Sequence, residues 1–93
     1  MLLKLVRVHV LIKGIVQGVQ FRHHTRLHAR FLGLTGWVRN LDSGEVEAVF
    51  EGEEGKVKDM IDWCGRGPVH SRVENISVKF ENYKGEFKEF EKH

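Results

Sequence analysis

The chain has 93 residues, of which 15 are Lys or Arg and 13 are Asp or Glu, and it contains ten glycines, one proline and one cysteine. A chain of this length supports a single core, so we expect one domain over residues 1–93 and no separate catalytic and substrate domains. The formal net charge of +2, with acidic and basic residues mixed along the chain, gives only weak support to a polyanionic partner.

The first half of the chain predicts a strand, a helix and a hairpin. Apolar residues alternate over residues 5–13, as in a strand with one buried face. Apolar residues recur at helical spacing over residues 21–32, and Gly33 is placed to end that helix. A strand over residues 34–40 and an alternating strand over residues 46–51, joined by a tight turn, complete the hairpin.

The second half predicts a helix, a strand and a short edge. A helix over residues 53–65 has a buried stripe at the spacing i, i+3, i+4, i+7. An alternating strand covers residues 72–80, and residues 85–91 add a possible short C-terminal edge strand. The order β-α-β-β-α-β predicts the α+β class: a ferredoxin-like sandwich with an antiparallel sheet and two helices on one face. The members of the helical stripe are Val57, Met60, Ile61 and Cys64.

The segment best suited to hold an anion is the loop between the first strand and the first helix, Gly14-Ile15-Val16-Gln17-Gly18-Val19-Gln20-Phe21-Arg22. Glycine turns main-chain N–H groups in directions that other residues rarely reach, and a helix start adds unpaired donors and partial positive charge. The guanidinium of Arg22 in the first turn can reach the same anion. A purely structural turn is the alternative. The loop lacks the Gly-Lys-Ser/Thr ending of an ATP-binding Walker loop, and the spacing of its glycines is not that of an NAD-binding loop.

Two blocks of the sequence contain long motifs of specific residues. The first block is Gly14-x-Val16-Gln17-Gly18-Val19-x-Phe21-Arg22. The second block is Ala29-x-x-Leu32-Gly33-Leu34-x-Gly36-Trp37-Val38-Arg39-Asn40. These blocks resemble the acylphosphatase family, and in particular its small free-standing members. The segments Gly44-x-Val46-Glu47 and Gly67-Pro68 extend the resemblance over nearly the whole chain. The family fold is the ferredoxin-like sandwich that the periodicity predicts.

The resemblance implies hydrolysis of a carboxyl-phosphate bond to a carboxylate and inorganic phosphate, without metal, cofactor or phosphoenzyme. By matching position, Arg22 would bind the phosphoryl group and Asn40 would orient the attacking water. The expected partners are a small acyl phosphate and inorganic phosphate, the latter as product and competitive inhibitor. Gly14 would shape the loop, and the implied phosphate-binding residues, mostly through main-chain N–H groups, are Gln17, Gly18, Val19, Gln20, Phe21 and Arg22.

Six histidines raise the alternative of a metal site, since His24 and His28 have the spacing that puts two imidazoles on one helical face. No His-Glu-x-x-His motif and no evident third ligand accompany them, so we expect no metal. Both rings are instead expected beside the apolar stripe of the helix, partly buried and hydrogen-bonded. His23 follows Arg22 directly and could tune the charge of the site, although a solvated position is the simpler reading.

The competing function is a non-catalytic anion-binding or RNA-binding module of the same architecture. Arg22, Arg26 and Arg30 form a basic ridge, and RNA-recognition domains share this element order. Such domains need stacking aromatics on the exposed face of the sheet. This sequence instead predicts Arg7 and His9 on one strand there and glutamates on another, so we expect no nucleic-acid partner. The glutamates are Glu45, Glu47 and Glu51.

The remaining expectations concern location and association. Cys64 has no partner for an internal disulfide, which favours a reducing compartment. Lys4 and Arg7 interrupt the apolar N-terminal residues before a signal peptide or membrane span develops, so we expect a cytoplasmic protein with no membrane partner. Leu27 and Phe31 are either additional core or a self-association surface, and we expect a monomer.

Overall fold

The computed structural model describes residues 3–93, and within them the elements follow the predicted order. These are β1 (Leu5–Ile15), α1 (Phe21–Phe31), β2 (Thr35–Asn40), β3 (Val46–Glu53), α2 (Glu54–Arg66), β4 (Arg72–Glu81) and β5 (Phe90–Lys92). The strands form one sheet in the order β4-β1-β3-β2-β5. The ferredoxin-like βαββαβ prediction is confirmed, and the bounds of its six elements differ from the predicted ones by at most two residues.

The sheet is mixed because its last strand runs parallel to its neighbour. β1 pairs antiparallel with β3 and β4, and β2 pairs antiparallel with β3. The predicted short C-terminal edge strand is present. It is three residues long and pairs in parallel with β2, whereas the other strand pairs are antiparallel as predicted. Residues 82–89 form the crossover that carries the chain from β4 at one edge of the sheet to β5 at the other.

The two helices cover one face of the sheet and enclose the core. α1 packs on β2 and β5, whereas α2 packs on β1, β3 and β4. Alternate residues of β1 and the predicted stripe of α2 face inward, as the periodicity predicts. The fully buried side chains include Val8, Val10, Ile12, Val38, Phe50, Val57, Met60, Cys64 and Phe90. No helix within residues 3–93 is long and apolar enough to cross a membrane.

The opposite face of the sheet is not simply exposed, contrary to the expectation for Arg7 and Glu51. Only 8% of Arg7 and 1% of Glu51 are accessible to solvent. Residues 82–89 lie over them, and the main-chain N–H of Lys84 donates to Glu51 Oε2 at 2.8 Å. Arg7 Nη1 donates to Glu86 Oε1 at 2.7 Å. Sequence periodicity treats this face as solvated because it does not reveal which later segment returns across it.

Gly14 lies inside β1 rather than in the following loop. The register between β1 and β4 shifts at this point, and Gly14 has φ +138°. A Cβ on this residue would stand 2.0 Å from the carbonyl oxygen of Arg72, so the close approach of β4 requires glycine. Gly14 therefore lets β1 and β4 approach closely just before the chain enters the loop.

Candidate active site

The loop between β1 and α1 alternates between left-handed and ordinary main-chain conformations. Gly18 has φ +74° and Gln20 has φ +64°, whereas Val19 between them does not have a positive φ. Alternation of this kind turns successive N–H groups toward one concave side, which is the geometry of an anion-binding nest. A left-handed conformation is uncommon for a residue other than glycine, and such conformations cluster at functional sites.

The N-terminus of α1 adds donors that the protein leaves uncapped. Gln20 occupies the cap position but makes no side-chain cap hydrogen bond, and the first turn contains no acidic residue. The first helical hydrogen bond runs from His24 N to Gln20 O at 3.1 Å, so the N–H groups of residues 21–23 precede the intrahelical pattern. These groups and the helix dipole favour a bound anion at this point.

A cavity of about 170 Å³ opens beside this helix start. It is smaller than the roughly 300–1,000 Å³ of pockets that hold drug-sized ligands, and so it suits a small anionic group. No carboxylate side chain is among its lining residues. The lining residues are Val16, Gly18, Gln20, Phe21, Arg22, His23, Asn40 and Lys92.

Arg22 and Asn40 reach this cavity from different elements. Arg22 lies in the first turn of α1, and its Nη1 donates a hydrogen bond to the main-chain oxygen of His93. Asn40 is the last residue of β2 and shares the helix-covered face with Val38, which is fully buried. Within residues 3–93 no protein group bonds the Asn40 side-chain amide. Both ends of that amide are thus available to water or to a bound anion.

Four of the six predicted phosphate-binding residues line the cavity: Gly18, Gln20, Phe21 and Arg22. The Phe21 ring itself is buried in the core, which leaves its main chain at the cavity. Gln17 and Val19 are not lining residues, and Val19 packs against the core. The side chain of Gln17 points instead to the turn between β2 and β3, where its Nε2 donates to Leu41 O at 2.8 Å and to Glu45 O at 3.0 Å.

Three lining residues were not among the residues that the sequence assigned to the site. Val16 is buried at the base of the loop, and His23 is half-buried at the cavity rather than solvated as expected. Lys92 comes from β5, whose parallel pairing with β2 brings it opposite Val38. Period-two alternation over residues 90–93 predicts which face of the strand Lys92 occupies. The position of that strand in the sheet depends on the path of residues 82–89.

The side chains of His24 and His28 lie in different environments. The prediction that both are partly buried and hydrogen-bonded is wrong, because His24 is exposed and neither ring makes a hydrogen bond within residues 3–93. His28 is half-buried and stacks on Trp63, with ring centroids 5.1 Å apart and an interplanar angle of 15°. Burial lowers the pKa of the His28 imidazole below its ordinary value, and the charge of Arg66 acts in the same direction.

The basic ridge of α1 faces the C-terminal strand. Arg22 bonds the main chain of His93, as described above. Arg30 Nε donates to the main-chain oxygen of Phe90 at 3.1 Å, and Arg30 Nη2 lies 3.5 Å from Glu89 Oε1. The arginines at both ends of this ridge therefore bond the C-terminal segment 89–93.

Comparisons with known proteins find relatives over nearly the whole chain. Residues 8–92 match the acylphosphatase family model. The acylphosphatase of Roseiflexus sp. (strain RS-1) is 51% identical over 89 residues, which cover 96% of each chain. The acylphosphatase of Syntrophus aciditrophicus (strain SB) is 56% identical over 90% of this chain and 88% of its own. The solved structure of an acylphosphatase from Coxiella burnetii has a TM-score of 0.91 and 35% identity, covering 96% of this chain and 93% of its own.

Proposed function

The chain belongs to the acylphosphatase family and hydrolyses acyl phosphates, and we propose that it does so by direct attack of water on a phosphoryl group bound in the cavity beside α1. The observation that carries this proposal is that Arg22 and Asn40 line one small cavity at an uncapped helix start. The substrate is a small molecule that contains a carboxyl-phosphate bond, and the products are a carboxylate and inorganic phosphate.

The phosphoryl group is held by main-chain N–H groups and by Arg22. The left-handed conformations of Gly18 and Gln20 support a concave set of donors along residues 17–22. The guanidinium of Arg22 offers five donors, of which the main-chain oxygen of His93 takes one. The remaining donors stabilise the charge that spreads over the equatorial phosphoryl oxygens in the transition state.

Asn40 orients the attacking water. Its amide oxygen accepts a hydrogen bond from the water, which directs a lone pair of the water toward phosphorus. An amide cannot act as a conventional general base, so the water proton passes to a phosphoryl oxygen of the substrate. The new bond joins the water oxygen to phosphorus, and the bond from phosphorus to the acyl oxygen breaks. The acyl oxygen leaves as a carboxylate with the bonding electron pair.

This chemistry requires little from the protein because a carboxylate is a good leaving group. Neither a leaving-group acid nor a strong nucleophile is needed, so positioning and charge stabilisation supply the catalysis. The scale of the cavity and its cationic lining fit this reaction.

The decisive experiment follows benzoyl phosphate hydrolysis by protein prepared free of metal, with inorganic phosphate as a competitor. We expect turnover that a chelator does not reduce, and a KM that rises with phosphate concentration while kcat stays constant. A folded protein without turnover would instead support the non-catalytic anion-binding module, and a loss of activity in chelator would reinstate a metal.

Two further parts of the proposal concern association and location. We propose a monomeric enzyme, because Arg22, Asn40 and the loop of the cavity all come from one chain. We also propose a cytoplasmic location, in keeping with the buried free thiol of Cys64. Sedimentation of the purified protein and fractionation of the source cells test these two statements.

A further inference from the structure

Lys92 brings a second cationic side chain to the cavity from a different strand. Residues alternate across β5, so Phe90 and Lys92 face the helices while Glu91 and His93 face the other way. The burial of Phe90 in the core and the 3.4 Å contact between His93 Nε2 and Glu91 Oε2 agree with this alternation. Lys92 is accordingly among the lining residues together with Arg22 and Asn40.

The charge of Lys92 is not neutralised within the part of the chain that the structure describes. No carboxylate of residues 3–93 lies within 4.0 Å of its ammonium group, although two glutamates are close in sequence. Both of these are paired elsewhere: Glu89 lies 3.5 Å from Arg30, and Glu91 contacts His93. A lysine that lines a cavity without an acidic lining residue, and that pairs with no carboxylate of residues 3–93, is available to an anion in that cavity.

We propose that Lys92 binds the phosphoryl group as a second cationic ligand beside Arg22. The proposal rests on the phosphoryl-binding role of the cavity in the proposed function. A phosphoryl group carries up to two negative charges near neutral pH, whereas Arg22 supplies one positive charge and shares its donors with His93. The flexible stem of Lys92 delivers a point charge that contacts the oxygens which Arg22 and the loop leave open.

The contact serves the ground state and the transition state alike, because the ammonium group faces phosphoryl oxygens that are charged in both. Interactions of this kind change KM and leave kcat nearly constant. Lys92 is solvent-exposed, so salt screens its interaction with the bound anion. The expected effect of removing its charge is therefore a modest loss of affinity, roughly two- to fivefold.

The experiment compares Lys92→Gln, Lys92→Arg and the wild-type protein by calorimetric binding of inorganic phosphate and by steady-state hydrolysis of acetyl phosphate. In Lys92→Gln we expect the Kd of phosphate and the KM to rise together by roughly two- to fivefold, with kcat within about twofold of wild type. Lys92→Arg should recover most of both. The matched control is Lys88→Gln, which removes an exposed lysine of the same segment outside the cavity and should change neither.

An unchanged Kd for phosphate in Lys92→Gln would overturn the proposal. The same holds for a second result, in which Lys92→Gln weakens hydrolysis of succinyl phosphate but not of butyryl phosphate, because the ammonium group would then face the acyl part. Phosphate binding is measured without turnover. If Lys92→Gln weakens phosphate binding while the wild-type protein leaves acetyl phosphate intact, the result supports this contact and contradicts the proposed hydrolysis.

Discussion

Gln17 Nε2 donates a hydrogen bond to the main-chain oxygen of Leu41 over 2.8 Å, and this contact joins the two segments that carry the site. Gln17 belongs to the loop before α1, and Leu41 directly follows Asn40 at the end of β2. A second hydrogen bond of 3.0 Å, to Glu45 O, extends the same connection across the turn. One side-chain amide thus ties the loop before α1 to the segment that follows Asn40.

Replacing Gln17 with Ala should misplace the loop relative to Asn40 while the fold persists. Both hydrogen bonds are lost and two main-chain oxygens of the turn lose a donor, so we expect kcat/KM to fall by roughly tenfold to a hundredfold. Stability should fall by about 1–2 kcal/mol. Acyl phosphate kinetics and urea unfolding measure the two effects. Ser43→Ala in the same turn is the control, since among residues 3–93 its hydroxyl hydrogen-bonds only with Glu45. Normal kcat/KM in Gln17→Ala would contradict the positioning role.

Arg22→Ala should abolish both phosphate binding and turnover. The guanidinium contributes the main side-chain charge to the proposed phosphoryl site, and loss of such an arginine costs on the order of 10³-fold or more in phosphoryl transfer. Phosphate calorimetry and acetyl phosphate hydrolysis provide the measurements. Because Arg22 also bonds the main chain of His93, circular dichroism must show that β5 and the fold survive. Arg26→Ala on the same helix is a matched control, since Arg26 is outside the cavity.

Asn40→Ala should separate binding from catalysis. The amide is expected to contact the water and not the phosphoryl group, so phosphate affinity should stay close to wild type while kcat falls by roughly a hundredfold or more. No protein hydrogen bond of the described residues is lost, and we therefore expect little change in stability. Near-normal turnover of an acyl phosphate by this variant would rule out the proposed role of Asn40.

Local patterns were sufficient for the fold and for part of the site. Period-two alternation located β1 and β3, and the helical stripe with Cys64 located α2, because each element buries one face against the core. The loop before α1 could also be identified from the sequence, because a glycine and a helix start affect main-chain groups that are close to them in the chain. These predictions depend on residues that are close in sequence.

The remaining features depend on contacts between distant segments. Residues 82–89 return across the sheet and bury Arg7, and they then place β5 parallel to β2. The assignment of Lys92 to the cavity follows from this crossover, which has no local sequence signal. The half-buried position of His23 likewise depends on residues distant in sequence, such as Asn40 and Lys92, that line the same cavity.

Glu51→Gln should destabilise the fold through the buried ion cluster under residues 82–89. Glu51 Oε2 accepts from Arg7 Nη1 at 3.3 Å and from the main-chain N–H of Lys84 at 2.8 Å. Removing one partner of a buried pair costs about 3–5 kcal/mol, and the lower end applies because Arg7 retains two other glutamates. Urea unfolding gives the measurement. Glu86→Gln, whose side chain is half-exposed, should cost less than about 1 kcal/mol. Equal losses in the two variants would show that burial of Glu51 is not the cause.

The His28 imidazole should make the protein less stable in mild acid. Burial against Trp63 and the charge of Arg66 lower its pKa in the folded state. In the unfolded chain the ring takes up a proton near its ordinary value of 6.5, whereas the folded state resists protonation until a lower pH. Its contribution to the free energy of unfolding is therefore fully present above the unfolded pKa and is lost as pH falls through the folded one.

His28→Gln removes this titration, so we expect its unfolding free energy to depend less on pH than that of wild type between about pH 5 and 7. The variant also loses the stacked contact with Trp63, which lowers stability equally at every pH and leaves the slope as the diagnostic quantity. Urea unfolding followed by tryptophan fluorescence at several pH values measures that slope. His24→Gln is the matched control, because that ring is exposed on the same helix. If wild type and His28→Gln share one slope, protonation of His28 is not linked to unfolding.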